Sequence, residues 1–214
     1  MPSPRTVPLR LVLLAAPLLA LLMAVLIGCG GDSAPQADAP ADGDASGDVR
    51  WGDGSYGVVL AHGAAFDAAS WQEQAVAIAE QGASVVAVED LGEESLLAAV
   101  ETLRDEGIDR VALVGGSAGA DAILSLSSQQ PDLADQLILL SPNSVVEGLG
   151  DQPKLFVASA QESVADVSRE LATASPGDDN VALILPGSAH AQNIFDTDQG
   201  PRVLSEILTR LAAP

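Results

Sequence analysis

Within nine positions, Val111-Ala112-Leu113-Val114-Gly115-Gly116-Ser117-Ala118-Gly119 passes from an apolar run to a corner of glycine, serine and glycine. The apolar part lacks strict alternation, the pattern of a strand covered on both faces. The residues after the corner, Ala120–Ser127, read as a helical run, so Ser117 falls at a strand-to-helix turn. Gly115 and Gly119, two residues to either side, remove side chains where strand and helix must approach closely.

Outward from this corner the chain alternates short apolar blocks with helical patterns. The strand candidates are Tyr56–Ala61, Ala83–Val88, Arg110–Gly115, Gln136–Leu140, Lys154–Ala158 and Asn180–Leu185. The helix candidates have recognisable ends. Ser70-Trp71-Gln72-Glu73 has the form of a capping box, with Trp71, Ala75, Ile78 and Ala79 on one face of the helix it would open. Glu94–Glu106 carries a Leu96, Val100, Leu103 stripe and stops at Gly107. Ala165–Ala174 is followed by Pro176, and Pro201 opens a last helix striped with Val203, Leu204, Ile207, Leu208 and Leu211. Strand–helix alternation of this kind predicts an α/β architecture, a mostly parallel sheet of about six strands flanked by helices on both faces. Ligands bind such sheets at the carboxyl ends of the strands, so the loops there are the places to look for chemistry.

Three of those loops hold chemically capable residues: Ser117 on its corner, His62-Gly63-Ala64-Ala65-Phe66 after the first strand, and Pro186-Gly187-Ser188-Ala189-His190-Ala191 after the last. His62 and His190 are the only histidines of the chain. A fourth loop, Ser159-Ala160-Gln161-Glu162-Ser163, supplies a carboxylate, with Asp166 four residues beyond it.

These segments resemble, in order and context, the motifs of α/β-hydrolases, close in style to small lidless esterases and dienelactone-hydrolase-like enzymes. Gly115-Gly116-Ser117-Ala118-Gly119 resembles the G-x-S-x-G nucleophile elbow, and His62-Gly63 the His-Gly motif of the oxyanion loop. The resemblance covers Tyr56–Pro214. It implies Ser117 as nucleophile, His190 as base, Glu162 as the acid with Asp166 as its rival, and the amides of Ala64 and Ala118 as oxyanion donors. His62 precedes the serine, contrary to the family's Ser–acid–His order, and is implied to be structural. The expected reaction is hydrolysis of a small or exposed carboxylic ester through an acyl-enzyme, with no metal or organic cofactor. A thioesterase, peptidase or acyltransferase would use the same triad. A non-catalytic tethered binding protein could also keep the fold. Two departures from the family pattern matter: little sequence precedes the first strand, and only Ser141–Pro153 separates two successive strands, too short for a cap.

The N-terminus reads as an address. Met1–Arg10 carries two arginines and no acid, and Leu11–Gly28 is almost wholly apolar, as in a secretory signal. Leu26-Ile27-Gly28-Cys29 resembles the lipobox of bacterial lipoproteins, which implies lipidation of Cys29 after cleavage, an extracytoplasmic location and a membrane partner through the lipid. An uncleaved transmembrane anchor is the alternative, since about 18 apolar residues can just span a bilayer. Residues 29–55, rich in Gly, Ala, Pro and Asp, have almost nothing to bury and are expected to form a disordered acidic spacer, with Trp51 docked on the domain edge or marking a short strand.

Composition narrows the remaining possibilities. Lys and Arg together number 9 against 30 Asp and Glu, a net charge of −21, which removes the electrostatic basis for binding nucleic acid. With one cysteine, an internal disulfide or a thiolate metal cluster is out of reach.

Overall fold

The computed structural model describes residues 47–212. The expected signal segment, Cys29 and most of the spacer lie outside the described residues. Seven strands form one sheet in the order β1-β3-β2-β4-β5-β6-β7: β1 is Val49–Trp51, β2 Tyr56–Ala61, β3 Ala83–Val88, β4 Val111–Gly116, β5 Gln136–Leu140, β6 Lys154–Ser159 and β7 Asn180–Leu185. All neighbouring pairs run parallel except β1–β3, which is antiparallel. The helices are α1 (Gln72–Ala79), α2 (Glu93–Asp105), α3 (Ala118–Gln129), α4 (Ala165–Ala174) and α5 (Gly200–Leu211), and Ala68–Trp71 and Ala191–Asp196 are short 3-10 turns.

Side chains alternate across the strands into two cores. Val58 and Leu60 of β2 join Val85, Val114, Ile138 and Val157 beneath α1 and α5, whose Ala75, Ile78, Val203, Ile207 and Leu211 are buried there. Val59 and Ala61 join Val86, Leu113, Leu139 and Phe156 on the other face, under Leu96, Val100 and Leu103 of α2, Ile123 and Leu124 of α3 and Leu171 of α4. Both faces of the central strands are therefore dry, which is why their sequences run apolar instead of alternating. Among the described residues no helix is long and apolar enough to cross a membrane.

Within residues 29–55 the short strand expected at Trp51 is present: Val49–Trp51 pairs with Val85–Ala87 as the antiparallel edge strand, and Trp51 is buried. At the start of α1 the structure differs from the expectation. Ser70 does not cap α1. A 3-10 turn precedes that helix, and Asp67 caps the turn by accepting the Ser70 N–H on Oδ1 at 2.9 Å. A Ser-x-x-Glu pattern carries no information about a carboxylate three residues upstream that competes for the same amide.

The strand order creates a crevice. From β2 the chain moves to β3 on one side, crosses back over β2 to β4, and then continues outward through β5, β6 and β7. The carboxyl ends of β2 and β4 thus flank a topological switch point, the usual place for a ligand in an open α/β sheet. His62–Phe66 and Ser117 follow directly from those two ends.

Candidate active site

Ser117 is the first residue after β4 and has φ 50° and ψ −110°, a backbone region that L residues rarely occupy. The close approach that forces this corner is measurable at its two glycines. A Cβ on Gly119 would lie 2.3 Å from the carbonyl oxygen of Ala61, and one on Gly115 would lie 2.7 Å from Ile123 Cδ1 and 2.8 Å from the Ala120 nitrogen. The corner is tied down by two main-chain bonds, from Ser117 N–H to Leu140 O at 2.9 Å and from Gly119 N–H to His62 O at 3.0 Å.

The structure brings Ser117, His190 and Glu162 together. His190 Nε2 lies 2.8 Å from Ser117 Oγ, and His190 Nδ1 lies 2.7 Å from Glu162 Oε2. A carboxylate only accepts, so the proton sits on Nδ1 and Nε2 offers its lone pair to the serine hydroxyl. Side-chain exposure is 7% for Glu162 and 40% for His190, so the carboxylate is buried while the imidazole opens to solvent. Asp166 stays apart: it is exposed on α4 and pairs with Arg169. His62 also stays apart from Ser117, with its ring nitrogens against the carbonyl oxygens of Gly63 and Glu89 at 2.9 and 3.0 Å.

The amides of Ala64 and Ala118 flank the crevice. Ala118 opens α3, where a first-turn N–H has no helical acceptor. Ala64 sits inside the turn closed by Phe66 N–H to Gly63 O at 2.9 Å. Neither amide has a partner among the described residues. Between β5 and β6 no helix or strand intervenes, and that connection is tied to the first turn of α3 by Asn143, whose backbone N–H and side-chain amide both donate to the Asp121 carboxylate. A cavity of about 330 Å³ lies beside the loop after β2, with Phe66, Phe195 and Gln192 in its wall. A larger one, about 500 Å³, sits at the opposite, amino ends of β2 and β4 around Tyr56 and Arg110, and no triad residue lines it. No group of three or more His, Cys, Asp or Glu among the described residues could hold a metal ion.

Ser141, one residue beyond β5, was not singled out by the sequence. It is fully buried and has φ 49°. Its hydroxyl donates to Glu162 Oε1 at 2.9 Å and accepts the N–H of Ala191, the residue after the base, at 2.9 Å. Glu162 Oε1 also accepts the Ser159 amide. One hydroxyl thus joins the loop of the acid to the loop of the base. Its position at the carboxyl end of a strand was the available signal, but nothing local distinguishes it from an ordinary turn serine.

A Ser141→Ala variant leaves the Ala191 N–H unpaired in a dry setting, an expected loss of about 1–3 kcal/mol. That corresponds to a melting temperature lower by about 2–4 °C per kcal/mol for a domain of this size. On the hydrolase reading proposed below, turnover should fall about tenfold or more, as positioned proton-transfer groups are worth about 10²–10⁴ and here would be loosened instead of removed. The check is steady-state kinetics beside thermal melts, with the downfield His190 Nδ1–H resonance reporting whether Glu162 still grips the ring.

Against solved structures, the described fold matches enzymes of one architecture. It aligns with a monoacylglycerol lipase from Paleococcus ferrophilus at a TM-score of 0.63 and 14% identity, over 77% of this chain and 97% of that one. A monoglyceride lipase from Saccharomyces cerevisiae aligns at 0.64 and 10% identity, covering 81% and 94%. The chain has the α/β-hydrolase fold. A Thermoplasma acidophilum protein described as a predicted CIB-like hydrolase, at 0.60 and 20% identity over 78% and 94%, shares it. No protein-family model matches the chain, and no curated protein matches it in sequence. Among the described residues one antiparallel edge strand, β1, precedes the parallel strands.

Proposed function

We propose that the protein is a serine hydrolase that cleaves a small or exposed carboxylic ester through an acyl-enzyme. The observation that carries this reading is the unbroken hydrogen-bonded chain from Ser117 Oγ through the His190 ring to Glu162, set at the carboxyl ends of β4, β6 and β7. His190 Nε2 takes the Ser117 proton as Oγ attacks the carbonyl carbon, and Glu162 stabilises the imidazolium that results. The carbonyl oxygen becomes an oxyanion between the N–H groups of Ala64 and Ala118, where one such donor is worth about 2.7–4 kcal/mol. The imidazolium returns its proton to the leaving alcohol. Water, deprotonated by His190, then attacks the acyl carbon and releases Ser117.

The open approach to His190 and the short connection between β5 and β6 favour acyl groups that need no apolar tunnel. In a series of p-nitrophenyl esters, kcat/KM is expected to stay within about threefold from butyrate to decanoate, because an extra methylene gains nothing without a wall to bury it. A rate that climbs steadily with chain length would contradict the open-site reading. Hydrolysis of the matching thioesters alone would move the proposal to a thioesterase. The lipobox-like Leu26-Ile27-Gly28-Cys29 supports placing this activity outside the cytoplasm on a lipid tether.

A further inference from the structure

We propose that Gln192 is a positioning residue of the oxyanion hole, holding the loop that presents the Ala64 amide; this rests on the hydrolase reading above. Gln192 is 6% exposed, and its side-chain amide is spent on the rim of the site. Its Oε1 accepts the Gly63 N–H at 2.7 Å, and its Nε2 donates to Ser70 Oγ at 2.8 Å. Because the Gly63 N–H can only donate, the orientation of the Gln192 amide is determined. Ser70 completes the chain by donating its hydroxyl proton to Asp67 O.

Glycine is the residue least able to hold a peptide plane by itself. Gly63 is gripped on both sides: Gln192 holds its N–H, and the Phe66 N–H holds its carbonyl oxygen. With the Gly63 carbonyl fixed, the trans peptide bond aims the Ala64 N–H the opposite way. Gln192 lies two residues after His190. One short segment therefore sets the base through the Ala191 N–H and the oxyanion donor through the Gln192 side chain, so the two halves of the catalytic apparatus share a support.

The test compares Gln192→Met, which keeps length and apolar volume but cannot bond, with Gln192→Glu, whose carboxylate still accepts the Gly63 N–H. For Gln192→Met the expected result is a kcat lower by about 10- to 100-fold with KM within about twofold, a fraction of the loss of a whole oxyanion donor. Backbone hydrogen exchange gives a second readout. The Phe66 amide should exchange at least tenfold faster in Gln192→Met than in wild type, amides of β4 should be unchanged, and Gln192→Glu should restore the Phe66 protection. Unchanged Phe66 protection in Gln192→Met overturns the proposal, whatever the rate. If the wild-type protein hydrolyses no ester, the hydrolase reading fails, while the exchange comparison still decides whether Gln192 holds the loop.

Discussion

Replacing Ser117 with alanine should lower ester turnover by about 10⁴- to 10⁶-fold, the range seen when the nucleophile of a serine triad is removed. The fold should survive. The unusual φ and ψ of this residue are imposed by the β4–α3 corner, and alanine keeps the same Cβ in the same place, so backbone strain is unchanged. What disappears is one hydroxyl, whose bond goes to a half-exposed histidine ring. Thermal melts of the variant should therefore lie within about 4 °C of wild type, since exposed hydrogen bonds of this kind contribute about 1 kcal/mol or less. Preserved stability with abolished turnover, read on the same preparations, separates chemistry from folding. Residual activity above about a hundredth of wild type would mean that some other group attacks the ester.

Gly119→Ala should do the reverse and damage the structure first. The added Cβ would meet Ala61 O at 2.3 Å, Ala61 C at 2.5 Å and His62 O at 2.7 Å. All three are backbone atoms of the segment leaving β2, so no rotamer change relieves the clash. Helix α3 must move off the sheet, breaking the Gly119 N–H to His62 O bond and carrying the Ala118 amide with it. A loss of about 4 kcal/mol or more is expected, in the range reserved for severe overpacking. Denaturant titration measures it. Gly116→Ala is the matched control, since its Cβ would stand 3.4 Å from Ala191 Cβ and Gln192 Cγ, ordinary van der Waals contact. If both variants are equally stable, the close strand–helix approach at the corner is not what demands the glycine.

Much of the architecture was legible because the chain marks its own interior. Tyr56–Ala61, Ala83–Val88, Gln136–Leu140 and Asn180–Leu185 have the same limits in the sequence pattern and in the structure, since each apolar block ends where a turn residue or helix signal begins. Of β1 only Trp51 was legible, as a residue that docks on the domain edge or marks a short strand. Val49-Arg50-Trp51 is three residues among Asp and Gly, and its pairing with β3 is a long-range choice no local pattern encodes. Ser117, Glu162 and His190 were singled out through the resemblance of their loops to α/β-hydrolase motifs, with Asp166 standing as the rival to Glu162, and folding brings those three side chains, not Asp166, into one hydrogen-bonded row. Ser141 and Gln192 were not singled out. Their significance lies in which buried groups they satisfy, Glu162 Oε1 and Ala191 N–H for one, Gly63 N–H for the other, and those partners come from 21 to 129 residues away. A serine in a turn and a glutamine beside a histidine are common; two hydrogen bonds to opposite sides of one site are visible only after folding.

The most direct test of the central claim is the intact mass of the purified chain after incubation with a fluorophosphonate, measured beside Ser117→Ala and His190→Ala. An activated serine predicts a single adduct on wild type and none on either variant, because phosphonylation needs both the Oγ and the base that takes its proton. A folded wild-type protein that gains no mass, or an adduct that persists on Ser117→Ala, would contradict the account.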